Sequence, residues 1–182
     1  VSAFGGILIT NHPVTKAVAE EINQLFFEIL LAPFFDDDAL QILRSKKNRI
    51  LLVRKKSDLQ PTIFRNLLNG VIEQDRDDRK ELSVNMKSVT NTTPSSVQCA
   101  DMEFANKIVK HTKSNAIVLV RNRQLLASGT GQTSRVDALK QAIANAGHFH
   151  FDLKDAVIAS DAFFAFPDCV EIAHHAGIKA II

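Results

Sequence analysis

The residues with the most chemical promise stand at Gly129-Thr130-Gly131-Gln132-Thr133-Ser134-Arg135. Glycines let a backbone approach a ligand closely. The free amides of a helix start, joined by the cationic Arg135, suit an anion or a polarised carbonyl. The segment is not a Walker phosphate loop, because the Gly-Lys-Ser/Thr ending is missing, and it departs from G-x-G-x-x-G. A tight turn followed by a structural cap accounts for the same residues, so pattern alone leaves both readings open. A second group, Asp161, Phe163, Phe164, Phe166 and Asp168, falls between a strand end and a helix start. Rings there could wall a flat heteroaromatic ligand while Asp168 accepts its N–H groups. The plainer reading makes the rings core and Asp168 a first-turn acid favoured by the helix dipole. Lys113-Ser114-Asn115 marks a helix-to-strand junction. Asn115 there either offers a ligand its amide donor and acceptor or stops the helix.

Other chemistries find little footing. The pairs His148-x-His150 and His174-His175 lack carboxylate or cysteine partners at ligand spacing, and His12 and His111 are isolated, so zinc is not expected. Cys99 and Cys169 form no CxxC and read as reduced thiols of a cytoplasmic protein. With 22 basic against 20 acidic residues there is no global nucleic-acid or membrane signal. The basic run Arg44–Lys56 flanks an apolar strand without interleaved aromatics, which describes solvated strand ends. No signal peptide and no membrane-spanning apolar run is visible.

The elements that must position these residues follow from periodicity. A chain of 182 residues, 46% hydrophobic and 23% charged, can bury a sizeable core in one or two domains. Ile7–Thr10 reads as a strand, with a helix starting at Asn11-His12-Pro13 and burying Val14, Ala17, Val18, Ile22 and Leu25. Phe26–Leu31 reads as a buried strand, Asp36-Asp37-Asp38 as the start of a helix with Ala39, Leu40, Ile42 and Leu43 inside, and Ile50–Val53 as another strand. That alternation predicts a largely parallel α/β sheet. A polar stretch from Arg76 to Thr92 marks a linker or boundary. Thr93-Pro94 reads as an N-cap and first-turn pair, with a helix following from about Ser95 to His111 and Val97, Ala100, Phe104, Ile108 and Val109 inward. A hairpin follows, Ala116–Val120 with Gln124–Ser128. Ser134-x-x-Asp137 opens a helix that buries Val136, Leu139, Ile143 and Ala146 and stops at Gly147. Strand Ala156–Ala159, helix Pro167–Ala176 and strand Ile178–Ile182 complete a second α/β half. Val1 reads as the end of a glycine turn and Ile182 as mid-strand, so the sequence reads as a fragment.

KHTKSNAIVLVRNRQLLASGTGQTSRVD and SDAFFAFPDCVEIA closely resemble the formyltransferase part of the AICAR transformylase/IMP cyclohydrolase family. That family carries K-[YH]-[TV]-x-S-N, G-x-G-[AT]-G-Q-x-S-R and SDAFFPF at corresponding intervals. SAFGG at Ser2–Gly6, EILLAP at Glu28–Pro33 and VIEQDRD at Val71–Asp77 extend the resemblance over essentially the whole chain. It implies an α/β fold of two cytidine-deaminase-like halves, three-layer α/β/α with mixed sheets and no zinc. Residues 1–80 would end the first half and residues 81–182 begin the second. It also implies formyl transfer from 10-formyltetrahydrofolate, the co-substrate, to the 5-amino group of 5-aminoimidazole-4-carboxamide (AICAR) ribonucleotide. Gly5, Glu28, Asn115, Arg135 and Phe163 correspond to ribonucleotide contacts, and Val136 and Asp168 to folate-side contacts. The implied assembly is a homodimer, with neither nucleic acid nor membrane as partner.

The departures from the family pattern bear on activity. The catalytic Lys-His pair of the family lies in a KHVSPAG-type segment that this sequence does not contain, and His111 belongs to the asparagine motif instead. No catalytic residue is therefore assigned within the chain. The family's PGGS-like folate segment, its C-terminal phosphate-binding arginine region and the cyclohydrolase domain are also absent from the sequence. Ala165 replaces the proline of SDAFFPF, and Ala127 and Ser128 replace usual residues before Gly129. The family holds a monovalent cation near Thr112, Ser114 and Asp161; Ala116 stands where another hydroxyl is common, and no metal is assigned. A catalytically inactive nucleotide- or folate-binding module, or a purely structural dimerising fragment, are the alternatives to the enzyme.

Overall fold

Three short apolar runs with almost no polar alternation, ILI, ILLA and ILLV, behave as strands of a parallel sheet are expected to. The computed structural model describes residues 5–182, so the Ser2–Phe4 part of the glycine turn lies outside the described residues. The chain forms two compact units, one ending at Arg76 and the other beginning at Asp77.

In the first unit β1 (Ile7–Ile9), β2 (Ile29–Ala32) and β3 (Ile50–Val53) pair in parallel in that order, alternating with α1 (Lys16–Asn23) and α2 (Asp37–Arg44). Right-handed crossovers that step the same way across a sheet place both helices on one face. Leu30 and Ala32 of β2 accordingly meet Ala19 of α1 and Ala39 and Leu43 of α2 in one core, with Val14, Phe27 and Phe35. The opposite face carries Ile7, Ile29 and Ile50 in one row and Ile9, Leu31 and Leu52 in the next. Ile7 and Ile9 are 65% and 68% exposed, so this sheet is covered by helices on one side only among the described residues.

Two boundaries differ from expectation. Helix α1 begins at Lys16 and not at Pro13, because Val14 is held extended, its N–H donating to Phe34 O at 3.0 Å and its carbonyl accepting from Asp36 N–H at 3.1 Å. The later start turns Ala19 inward and leaves Ala17 and Val18 outside. Strand β2 begins at Ile29 and not at Phe26. The preceding loop is clamped by Arg49, which donates to Asn23 Oδ1 at 2.7 Å and lies 4.2 Å over the Phe27 ring. A hairpin that hydrophobic periodicity does not predict, β4 (Thr62–Leu67) with β5 (Gly70–Asp75), closes the unit. Its two-residue turn is Leu68-Asn69, with Leu68 left-handed at φ 48° and Leu67 paired with Gly70.

The second unit is built on the four-stranded order β7-β6-β8-β9, from β6 (Ile117–Arg121), β7 (Gln124–Gly129), β8 (Val157–Ser160) and β9 (Ala180–Ile181). Only β8 and β9 run parallel, which makes the sheet mixed. The residues of β6 alternate between two cores. Ile117 and Leu119 face α4 (Arg135–His148) and α5 (Asp168–His175), while Val118 and Val120 face α3 (Ser96–Val109). This is the three-layer α/β/α arrangement.

Helix α3 starts at a capping box on Ser95, not at Thr93: Gln98 N–H donates to Ser95 Oγ at 3.2 Å, and Ser95 N–H donates to Gln98 Oε1 at 2.9 Å. The helix turns Met102 and Ala105 inward along with the expected Val109, and leaves Val97 exposed. It also buries Asp101, only 2% exposed, whose carboxylate accepts the N–H groups of Asn122 at 2.9 Å and Arg123 at 2.6 Å. Both those residues are left-handed, at φ of 54° and 56°; asparagine accepts that conformation readily and Arg123 does not, so the acid holds the turn at its less favoured residue. Helix α4 runs through Gly147 to His148; the left-handed residue that ends it is His150. At Gly129 the strand meets this helix directly, since a Cβ there would lie 1.8 Å from Ala138 O.

Candidate functional site

The candidate site of the second unit forms where β6 begins and α4 starts. The Asn115 and Gln132 backbones exchange hydrogen bonds at 3.2 and 3.3 Å, and Gly131 N–H donates to Lys113 O at 2.8 Å. Asn115 Nδ2 adds a bond to Gln132 O at 2.9 Å. The Ser114–Asn115 peptide bond is cis. Thr130 N–H donates to Gln141 Oε1 at 2.9 Å, latching the turn onto α4. The amides of Thr130, Gly131 and Gln132 are thus bonded within the protein, and the glycine turn is not an open phosphate cradle. Gly131, at φ 65°, is needed for the reversal itself. At the helix start Ser134 Oγ accepts from Asp137 N–H at 3.1 Å and donates to its Oδ2 at 2.7 Å, leaving the first-turn amides of Arg135 and Val136 uncapped.

Arg135 rises from that first turn toward the end of β8. Its Nη2 lies 3.5 Å from Asp161 Oδ1, with the two side chains 26% and 13% exposed. Its Nε is buried and has no hydrogen-bond partner. Asp161 Oδ1 also accepts from Ala116 N–H at 3.1 Å. Burial pushes the Asp161 carboxyl up, but hydrogen bonds from Ser114 and Ala116 and the charge of Arg135 outweigh it and hold the group below the usual carboxylate range. An arginine held at one nitrogen by a carboxylate, with part of its side chain still exposed, can offer its remaining N–H groups to an oxygen of an anionic or polarised group.

The other expected residues are placed as follows. Phe163 is 81% exposed and Phe166 72% exposed on the loop after β8, while Phe164 packs against the core. The core reading of these rings therefore holds for Phe164 alone. Asp168 stands in the first turn of α5 and accepts from Cys169 N–H at 2.7 Å. Burial, reinforced by the neighbouring Asp168 carboxylate, raises the Cys169 thiol, which keeps it neutral. Val136 packs on the edge of the α4 core.

In the first unit Gly5, at φ 71°, precedes Gly6, whose carbonyl accepts Glu28 N–H at 2.9 Å. Gly5 and Glu28 therefore stand side by side at the head of β1 and β2, and both are exposed. The Arg49 clamp on the preceding loop sets how Glu28 enters the strand. Periodicity gives no sign of Arg49, because its partners are the carbonyls of Asn23 and Leu25 and the ring of Phe27.

Thr112, Ser114 and Asp161, near which the resembling family holds a monovalent cation, make protein contacts of their own. The Thr112 hydroxyl donates to Ile108 O at 2.9 Å, Asp161 Oδ1 already faces an N–H and a guanidinium, and Ala116 brings a buried methyl. No group of three or more His, Cys, Asp or Glu suited to a metal exists among the described residues. A depression of about 560 Å³ lies at the far end of β6, bordered by Ser95, Asp101, Arg121, Asn122 and Asp152. None of the expected site residues borders it, and its buried acid is already bonded to the β6–β7 turn. No described helix is long and apolar enough to cross a membrane.

Comparison with known proteins gives this geometry a family. Residues 1–145 match the AICARFT/IMPCHase bienzyme family. A bifunctional purine biosynthesis protein PurH from Bacteroides thetaiotaomicron is 61% identical over 182 residues, which cover 100% of this chain and 36% of that protein. The PurH of Clostridioides difficile is 46% identical over 184 residues, and that of Lactobacillus acidophilus 44% over 185 residues. In both cases the match covers this whole chain and about a third of the relative (35% and 36%). The chain spans about a third of the length of these curated relatives, and it belongs to the AICARFT/IMPCHase bienzyme family.

Proposed function

We propose that this chain supplies part of a formyltransferase site that moves the formyl group of 10-formyltetrahydrofolate to the 5-amino group of AICAR ribonucleotide, in purine biosynthesis. Family membership supports the reaction class, and the junction that brings Arg135 and Asp161 beside Ala116 and Asn115 is the observation that carries the site. The accepting amine is weakly nucleophilic, so the site must orient it, remove its proton and stabilise charge developing on the formyl oxygen. In this reading Asn115, Arg135 and Phe163 hold the ribonucleotide, Gly5 and Glu28 contribute further ribonucleotide contacts, and Val136 and Asp168 lie on the folate side. Asn115, fixed through Nδ2, keeps its carbonyl oxygen for the substrate. The Lys-His pair that would take the proton is not in this sequence; in this reading the chain acts within a longer protein, homodimeric and cytoplasmic as the family resemblance implies.

The test is calorimetric titration of the chain with AICAR ribonucleotide, comparing the parent with Arg135→Ala and Asn115→Ala. A charge-assisted hydrogen bond contributes about 1.5–3 kcal/mol, so Arg135→Ala should weaken binding tenfold or more. Unchanged affinity in that variant would remove Arg135 from the site. The chain alone should give no turnover in a folate-linked assay; steady turnover would contradict the placement of the base outside it. Tight binding without turnover would favour the second reading, an inactive binding module, which the missing Lys-His segment makes worth separating.

A further inference from the structure

Three elements meet at one carboxylate. Asp161, at the end of β8, takes Ala116 N–H at the head of β6 and faces Arg135 in the first turn of α4, while its own N–H donates to Ala116 O at 3.3 Å. Ala116 is fully buried and adjoins Asn115, and Arg135 adjoins the cap that starts α4. The geometry between Asn115 and Arg135 is thus held locally by the Gly131–Gln132 turn and by Asp161. The turn fixes backbone only. Asp161 is the one acidic group within ion-pair distance of Arg135 among the described residues, and it meets the guanidinium at Nη2, not at Nε.

We propose that Asp161 is a positioning residue: it holds the Arg135 guanidinium by Nη2 and so fixes the direction in which the exposed remainder of that side chain meets the bound nucleotide. The inference deepens the proposed function and rests on it for the identity of the ligand. Its physical content is preorganisation. An arginine side chain free to rotate loses rotamer entropy when it binds, whereas one held by a carboxylate has lost it beforehand. The held residue also cannot turn its Nε toward water, because that atom is buried.

The experiment combines a double-mutant cycle with a measurement that needs no ligand. Affinity for AICAR ribonucleotide is measured by calorimetry on the parent, Asp161→Asn, Arg135→Ala and the double variant. Asparagine keeps an acceptor for Ala116 N–H and removes the charge that holds Arg135. The expected result is a loss of about tenfold in Asp161→Asn and no further loss when it is added to Arg135→Ala. A full additional loss in the Arg135→Ala background, or no loss in the parent background when Arg135→Ala itself weakens binding, overturns the proposal. In the ligand-free parent, the Arg135 Nε–H should give a resolved, slowly exchanging nitrogen-15 resonance with restricted guanidinium rotation. Free rotation there overturns the proposal even if Asp161→Asn does not fold. If Arg135→Ala binds as the parent does while the guanidinium is restricted, the nucleotide reading fails and the positioning stands.

Discussion

Gly129→Ala offers the sharpest test of how α4 is seated. An added Cβ would lie 1.8 Å from Ala138 O, 2.6 Å from its carbonyl carbon and 2.9 Å from its Cα. All three atoms are helix backbone, so no side chain can swing aside. To restore an ordinary contact, roughly 1.5 Å of separation must open between β7 and α4. That movement would loosen Leu126 and Ala127 from Ala138, Leu139 and Ala142, the centre of one of the two cores. Overpacking costs about 1–3 kcal/mol when side chains can adjust, and this backbone clash belongs at or above the upper end. About 3 kcal/mol corresponds to a fall of about 12 °C or more in the melting temperature of a unit of about 100 residues. Gly147 is the internal control. It sits in the same helix, where an added Cβ would meet nothing within 4 Å, and Gly147→Ala should stabilise by about 0.5–1 kcal/mol. Thermal and urea melts followed by circular dichroism would compare the two. If Gly129→Ala melts within about 2 °C of the parent, far less than the shift expected from overpacking, the close seating of α4 on β7 is wrong, and with it the placement of Arg135.

Two further outcomes follow from the buried acids. Asp101→Ala removes the acceptor of two turn amides and should cost about 2–4 kcal/mol in urea melts, with no change in m-value; a loss below about 0.5 kcal/mol would mean the turn holds itself. Asp161 has a lowered folded pKa, so its stabilisation is present above the unfolded value of about 3.9 and is lost as pH falls from there through the folded value. Acid melts of the parent and Asp161→Asn should therefore differ near neutrality and converge as pH falls through the folded value; curves that stay parallel throughout the acid range would refute the assignment.

The strands are legible in the sequence because apolar runs survive any helix register, and the start of α4 is legible because Ser134 and Asp137 can do little but cap. The helix faces are less so. The inward stripe of α3 is read from its apolar residues alone, which hides Asp101 among the solvent-facing positions, and the cap is read at Thr93 where the structure has Ser95. Capping chemistry names several candidates within a few residues, and only the partner Gln98 distinguishes Ser95. At the site, Asn115 and Arg135 are visible as residue types in sequence motifs. That Arg135 turns its Nη2 and not its Nε to Asp161 depends on side-chain direction between elements 26 positions apart, which no spacing rule encodes. The exposure of Phe163 is likewise invisible, since a run of phenylalanines looks like core until the loop that carries it is seen.

Strand β6 carries a consequence for folding. Both of its faces are buried and apolar, so sliding it by one residue would exchange its two sets of side chains between the cores without exposing a polar group. Hydrophobic patterning, which ordinarily forbids such a slip, gives weak discrimination here. What distinguishes the correct alignment is polar and sits at the two ends: Asp101 on the amides of Asn122 and Arg123, and Asp161 on the amide of Ala116. The two carboxylates act as end stops. A chain lacking both would be expected to populate shifted sheets of nearly equal compactness, and its failure would show as heterogeneity of the native state before it showed as unfolding.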